Sequence, residues 1–264
     1  MIALLYQIPT EAKIKKYLRQ ILYGKHIRCP RCNSLNVYAY EKRYKCKKCR
    51  LPFSLLHGTW LSGMKINLRT LWAILWCYTQ KIPVLQAQKL CHLSEEGVRR
   101  WYERFRSHLP VVEPILGNRV QMDEAYFKHM ALLMAKQVGS KKVVMQFIKN
   151  EVPNKRDVAE FLFQYVQPNT KFQTDGGGIY KKIEDWWPVK HRVDIHKKFE
   201  FGLTSEIEGM FGNLRTFIRR MYHHTTPEYL PDICWEFCVR FSRPEMFDSP
   251  LVFLKNTLSP GPLD

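Results

Sequence analysis

The chain has 264 residues, 45% of them hydrophobic and 13% aromatic, which supplies a packed core and excludes a disordered or low-complexity polymer. No apolar run approaches the ~18 residues of a membrane span, and MIALLYQIPTEAK, with neither a leading basic residue nor a small-residue cleavage site, reads as the start of a mature cytoplasmic protein. The net charge of +18 calls for a polyanionic partner.

In chain order, residues 10–23 are expected to be helical: Thr10 caps, Glu11 faces the positive end of the dipole, and Ile14, Tyr17, Leu18, Ile21 and Leu22 form one stripe. Residues 27–55 read as short extended pieces around two cysteine pairs. The charge is concentrated here: residues 11–50 hold thirteen Lys and Arg against Glu11 and Glu41 alone. Such a module suits contact with a phosphate backbone; a solvated face or a membrane-surface patch is the bland alternative. LHGTWLSG is a turn-rich connector, and 67–107 is expected to be helical throughout. There LRTLWAILWCYTQ forms an apolar core helix, Pro83 opens VLQAQKLC, and Ser94 caps EEGVRRWYERFRSHL after a tight turn. Helix, turn, helix beside a basic module favours DNA binding, with Arg99 and Arg100 as contacts, over simple packing.

From residue 119 the texture changes. RVQMDEAYF, ALLMAKQV and KKVVMQFIKN are three strand-like runs. A helix (RDVAEFLFQYV), a strand (KFQTDG), a helical stretch (GIYKKIEDWW), a strand (HRVDIH) and a long helix from about Glu206 to Met221 follow. This order is the RNase H-like α/β layout.

The cysteines divide into two sets. Cys29 and Cys32 are separated by thirteen residues from Cys46 and Cys49. Two CxxC knuckles supply the four soft ligands of a tetrahedral Zn²⁺ site, and the intervening length builds a ribbon. Neighbouring lysines, Lys47 and Lys48 among them, help keep the thiolates ionised and are candidate DNA contacts. A rubredoxin-like iron site is the alternative; the basic, nucleic-acid-like surroundings favour zinc in a structural role. Cys77, Cys91, Cys234 and Cys238 lie among apolar residues and read as buried free thiols of a reducing compartment.

The acids carry the chemistry. Asp123 sits inside an apolar strand, a costly place unless it meets a cation. Asp175 ends the fourth strand ahead of three glycines that allow a sharp turn. Strands one and four are neighbours in the expected layout, so the two carboxylates converge. The third acid comes from the last helix, at Glu206 or Glu208. Helical spacing puts Ile207, Met210, Phe211, Leu214, Phe217 and Ile218 on the buried stripe and Glu208, Gly212, Arg215 and Arg219 on the strip beside it. That selects Glu208, with Arg215 and Arg219 available for phosphates, and leaves Glu206 as a first-turn acid. Three carboxylates suit two Mg²⁺ (or Mn²⁺) ions about 3.5–4 Å apart.

CPRC, CKKC and HGTW, then QMDEAYF, TDGGGIYKKI, VDIH, IEGMFGNLRTFIRRMYHH and EFCVRF, resemble the insertion-sequence DDE transposases with an N-terminal zinc ribbon, the bacterial relatives of the Merlin DNA transposons. The resemblance is colinear from about residue 12 to residue 243. It implies Asp123, Asp175 and Glu208 as catalytic acids; the family's asparagine is Ser205 here and its lysine is Arg215. An Arg keeps the charge but changes the geometry with which a phosphate is held. The implied reaction is hydrolysis of the phosphodiester at each transposon end, freeing a 3′-hydroxyl that attacks target DNA by in-line transesterification. The implied partners are double-stranded DNA (terminal inverted repeats and target) and further copies of the chain, at least as a dimer. The implied location is the cytoplasm or nucleoid of a bacterium, or the nucleus of a eukaryote. Tyr126, Tyr180, Trp186 and Trp187 are candidates for stacking on distorted bases, core packing being their ordinary role.

The reading is therefore an RNase H-like catalytic domain at 111–264, preceded by a helix and zinc ribbon at 1–64 and a helix-turn-helix at 65–110. A domesticated, non-catalytic DNA-binding regulator is the alternative, but it leaves one acid free to vary, whereas all three positions are filled. A junction resolvase or RNase H proper has no need of the N-terminal modules.

Overall fold

The computed structural model describes residues 8–111, 114–127, 130–148, 151–193, 204–223 and 225–258. The chain divides into two compact units: residues 1–110 together with 245–264, and residues 111–244.

The first unit opens with α1 (Glu11–Tyr23), capped by Thr10 and burying Ile14, Leu18 and Leu22 along one face. A three-stranded antiparallel sheet follows: β1 (Val37–Tyr40), β2 (Arg43–Cys46) and β3 (Pro52–Phe53), in that order. Helix α2 (Leu68–Thr79) is capped by Asn67 and buried around most of its circumference, as its almost unbroken apolar sequence requires. Helix α3 (Val84–Cys91) ends at His92, which takes left-handed geometry, and Ser94 then caps α4 (Glu95–Arg106). Tyr78 of α2 is the hub, with Tyr102, Phe105, Phe247 and Phe253 at centroid distances of 5.2–6.2 Å. Phe253 lies on α8 (Pro250–Thr257), so the last described helix packs with the first unit, and the indole of Trp60 donates to the Thr257 carbonyl at 3.0 Å. Sequence order groups 245–264 with the catalytic stretch. The aromatic residues of that segment instead fill the core around Tyr78.

The second unit is a five-stranded sheet in the order β6-β5-β4-β7-β8, comprising β4 (Arg119–Phe127), β5 (Met130–Gln137), β6 (Val143–Ile148), β7 (Lys171–Thr174) and β8 (Lys190–Val193). β5 runs antiparallel to β4 and β6, and β7 and β8 run parallel to β4. That is the RNase H-like arrangement, with strands one and four side by side. One face of the sheet, bearing Val120, Met122, Leu133, Ala135 and Phe172, packs against Val158, Phe161 and Leu162 of α5 (Lys155–Tyr165). The opposite face receives α6 (Ser205–Tyr222), which rests on β4 and β5. Helix α7 (Leu230–Ser242) lies against β6 and locks to α6 through buried Glu236, which accepts from the Tyr222 hydroxyl and, at 2.8 Å, from Arg240 Nε.

Two local expectations change, and a third falls partly outside the described residues. Residues 178–187 form two short 3₁₀ turns, Gly178–Tyr180 and Ile183–Asp185, instead of a helix, because Lys182 between them adopts left-handed geometry (φ 56°). The turns aim Tyr180 and Ile183 into the core. Strand β8 is described only to Val193, so Asp194 and His196 of VDIH lie outside the described residues. On α6, Ile218 is half-buried, not part of the buried stripe.

Candidate metal centres

The two cysteine knuckles are built alike. The amide of Asn33 donates to the Cys29 carbonyl at 2.9 Å and that of Arg50 to the Cys46 carbonyl at 3.0 Å. Cys29 and Cys46 in turn donate their own amides to Ser34 and Leu51, both at 3.0 Å. Closing each turn so tightly forces Asn33 (φ 53°) and Arg50 (φ 63°) into the left-handed region. The result brings all four Sγ atoms within 4.8 Å of one another, with Cys29 and Cys49 at 3.4 Å and Cys32 and Cys46 at 3.6 Å. Thiols this close, free of disulfides, are the donor set of a Zn²⁺ site. Burial pushes the Cys29 thiol up to about 11, whereas the amides of Cys49 and Lys48 draw Cys46 down to about 6. Lys47 and Lys48 are exposed beside the second knuckle, Lys47 lying over the Tyr38 ring at 5.9 Å.

The acidic centre is assembled at the middle of the second unit's sheet. β7 pairs with β4 only as far as Gln173 with Gln121, so the two strands have parted at the level of Asp123. Asp175 immediately follows β7, and its Oδ1 accepts from the Gly177 amide at 2.9 Å. A Cβ on Gly177 would stand 2.9 Å from that oxygen and 3.3 Å from the Tyr180 ring, so a side chain there would press on both the Asp175 carboxylate and the Tyr180 ring. Oxygens of Asp123, Glu124 and Asp175 lie within 4.8 Å of one another. Sequence alone does not single out Glu124, because strand alternation points it to the face opposite Asp123. It is anchored there by the buried Tyr180, whose hydroxyl donates to Oε2 at 2.5 Å. Burial, with the charges of Glu124, Asp175 and Glu208 adding to it, pushes Asp123 up to about 7, against a 2.9 Å hydrogen bond from the Glu124 amide that favours the anion. Crowded, half-buried carboxylates held as acceptors suit a hard divalent cation.

The two acids at the start of α6 behave differently. Glu206 is engaged by the buried Lys136 and accepts from the Gly139 amide at 3.4 Å, and its carboxyl is held below the usual range. Glu208 is exposed, accepts from Thr204 Oγ1 at 2.9 Å, and stands outside the tight trio, while its charge reaches Asp123. Gln121, two residues before Asp123, accepts the amides of Glu206 and Ile207, both at 3.1 Å, and so fixes the start of α6 to β4. Arg215 and Arg219 are exposed on the same helix and, with Tyr126, Ile218 and His223, line a cavity of about 590 Å³. Ser205, the first residue of α6, is exposed. Arg99 and Arg100 of α4 are exposed too, paired with Glu95 at 2.8 Å and Glu96 at 2.5 Å. Of the aromatic candidates, Tyr126 and Trp186 are exposed, Trp187 is half-buried, and Tyr180 belongs to the core.

Residues 9–51 match the family described as "Transposase zinc-ribbon domain", and residues 115–241 the one described as "ISXO2-like transposase domain". No curated protein matches the chain. Among solved structures, the catalytic core domain of BIV integrase is 16% identical with a TM-score of 0.35, over 47% of this chain and 82% of that one. The simian T-cell lymphotropic virus intasome in complex with a PP2A regulatory subunit is 12% identical with a TM-score of 0.35, over 62% of this chain and 67% of that one.

Proposed function

Because the chain belongs to the insertion-sequence DDE transposases with an N-terminal zinc ribbon, we propose that it binds the terminal inverted repeats of its element, hydrolyses the DNA at each end, and joins the freed 3′-hydroxyl to target DNA. The convergence of Asp123, Glu124 and Asp175 within 4.8 Å carries this reading. A non-catalytic regulator has no use for carboxylates crowded at a cost.

The division of labour follows from the residues. Asp123 and Asp175 would hold Mg²⁺ or Mn²⁺, with Glu208 as the third acid, since Glu206 is taken by Lys136. Divalent ions at such a site neutralise the scissile phosphate and activate the attacking oxygen. Glu124 stands ready as an additional acceptor whose orientation Tyr180 fixes. Arg215 and Arg219 hold phosphates beside the acids, and the exposed ring of Tyr126 is available to a base. Cys29, Cys32, Cys46 and Cys49 hold Zn²⁺, four protein ligands leaving no position open for chemistry. Lys47, Lys48, Arg99 and Arg100 contact the inverted repeats, and joining two ends requires at least a dimer on DNA.

The test mixes purified protein, Mg²⁺ or Mn²⁺ and a duplex carrying the element's own ends, and scores nicked and joined products. Asp123→Ala and Asp175→Ala should abolish both products, at least ~10³-fold, and leave end binding intact. Mutants that cut as well as the wild type overturn the assignment. Glu208→Gln should fall nearly as far and Glu124→Gln less; the reverse order makes Glu124 the third acid.

A further inference from the structure

The sheet face that carries Asp123 and Asp175 also carries a second set of charges of opposite sign. Register aligns Arg119 with Lys171 and Lys171 with Lys190, on β4, β7 and β8. Two residues further along, it aligns Gln121 with Gln173 and Gln173 with Arg192. Partners in a parallel ladder share a face, and residues two apart along a strand share it as well. The face is therefore graded from cations through amides to the two aspartates, which follow after another two residues. Four residues of strand place the cation row about 13 Å from the aspartates. Helix α6 rests on β4 and β5, and an open cavity of about 690 Å³ is lined by Arg119, Lys171, Gln173, Lys190 and Arg192, with no carboxylate among its described lining residues.

A cluster of surface lysines alone would not make a site. Gln173 adds an independent observation: it is only 4% exposed and lines this same cavity. Its side chain lies beneath the cations, where its amide N–H can donate to an anion. The carboxylate whose charge reaches Arg119, that of Glu206, is already engaged by Lys136.

We propose that this cavity is a second DNA site, in which Arg119, Lys171, Lys190 and Arg192 hold backbone phosphates of the strand being processed and Gln173 donates to one of them. The inference rests on the chain acting on DNA. At 3.4 Å of rise per nucleotide, 13 Å corresponds to about four nucleotides from the cleaved phosphate. The cavity would thus fix where along the duplex the acids act.

The experiment measures the affinity of the zinc-loaded full chain for a duplex across a range of salt concentrations. The triple variant Arg119→Gln/Lys171→Gln/Lys190→Gln changes only exposed side chains. Its salt dependence should be shallower by about 0.9 for each phosphate no longer neutralised, and Lys190→Gln alone should show a part of that change. Ethylation of phosphates about four nucleotides from the cleaved position should impair binding to the wild type and not to the triple variant. An unchanged salt slope with an unchanged ethylation pattern overturns the site, as it would if the cavity served an acidic protein segment. Failure of the transposase reading looks different: the wild type neither nicks nor joins, while the triple variant still shows the shallower salt dependence.

Discussion

At the scale of one residue, Asp123 sets the conditions under which the acidic centre works. Its carboxyl is pushed up to about 7, whereas in the unfolded chain it would titrate near about 4. The folded state therefore binds that proton more tightly than the unfolded state does. Without a metal, the stability associated with the proton is complete below pH ~4 and is lost as the pH rises through ~7. A divalent cation replaces the proton, so its effect has the opposite sign. Adding Mg²⁺ should raise the melting temperature more at pH ~8 than at pH ~6, and Asp123→Asn should remove most of that difference. Equal Mg²⁺ shifts at the two pH values would show that Asp123 is not a ligand.

At the scale of elements, α6 is useful only if its first turn is held beside β4, and Gln121 does much of that holding. Gln121→Leu keeps the volume but leaves the Glu206 amide without an acceptor and Ile207 with only the Thr204 carbonyl, which should cost about 2 kcal/mol. Chemical denaturation reads the stability. Cleavage should fall beyond what the lower stability explains, because Glu208 shifts with the turn; unaltered cleavage in a folded variant would show that the turn needs no such anchor. The period of α6, its Glu208–Arg215–Arg219 strip and the caps at Thr10 and Ser94 were legible in the sequence, because spacing and local hydrogen bonding decide them. The engagement of Glu206 by Lys136 was not, since the partners lie 70 residues apart and meet only through the β5 register. Glu124 was hidden for a related reason. Alternation sends it away from Asp123, and only the parting of β4 from β7 lets both carboxylates reach the turn at Asp175. Local pattern likewise suggested a helix at 178–187, where the left-handed Lys182 breaks the run.

At the scale of the molecule, two metal dependencies lie in different units and should separate cleanly. Brief treatment with a zinc-selective chelator should abolish tight DNA binding and loosen the ribbon, since structural zinc contributes folding energy directly. The second unit should keep its sheet by circular dichroism; loss of both together would mean that the units do not fold independently. The return of α8 to the first unit has a consequence of its own. Phe253 completes the aromatic core around Tyr78, although in sequence the whole second unit separates it from Pro110, where the first stretch ends. The second unit is continuous in sequence, so during synthesis it is whole before the first unit receives its final helix. The aromatic core of the first unit can therefore close only after the second unit has been made, since the residues translated first wait for Phe253 to complete their packing.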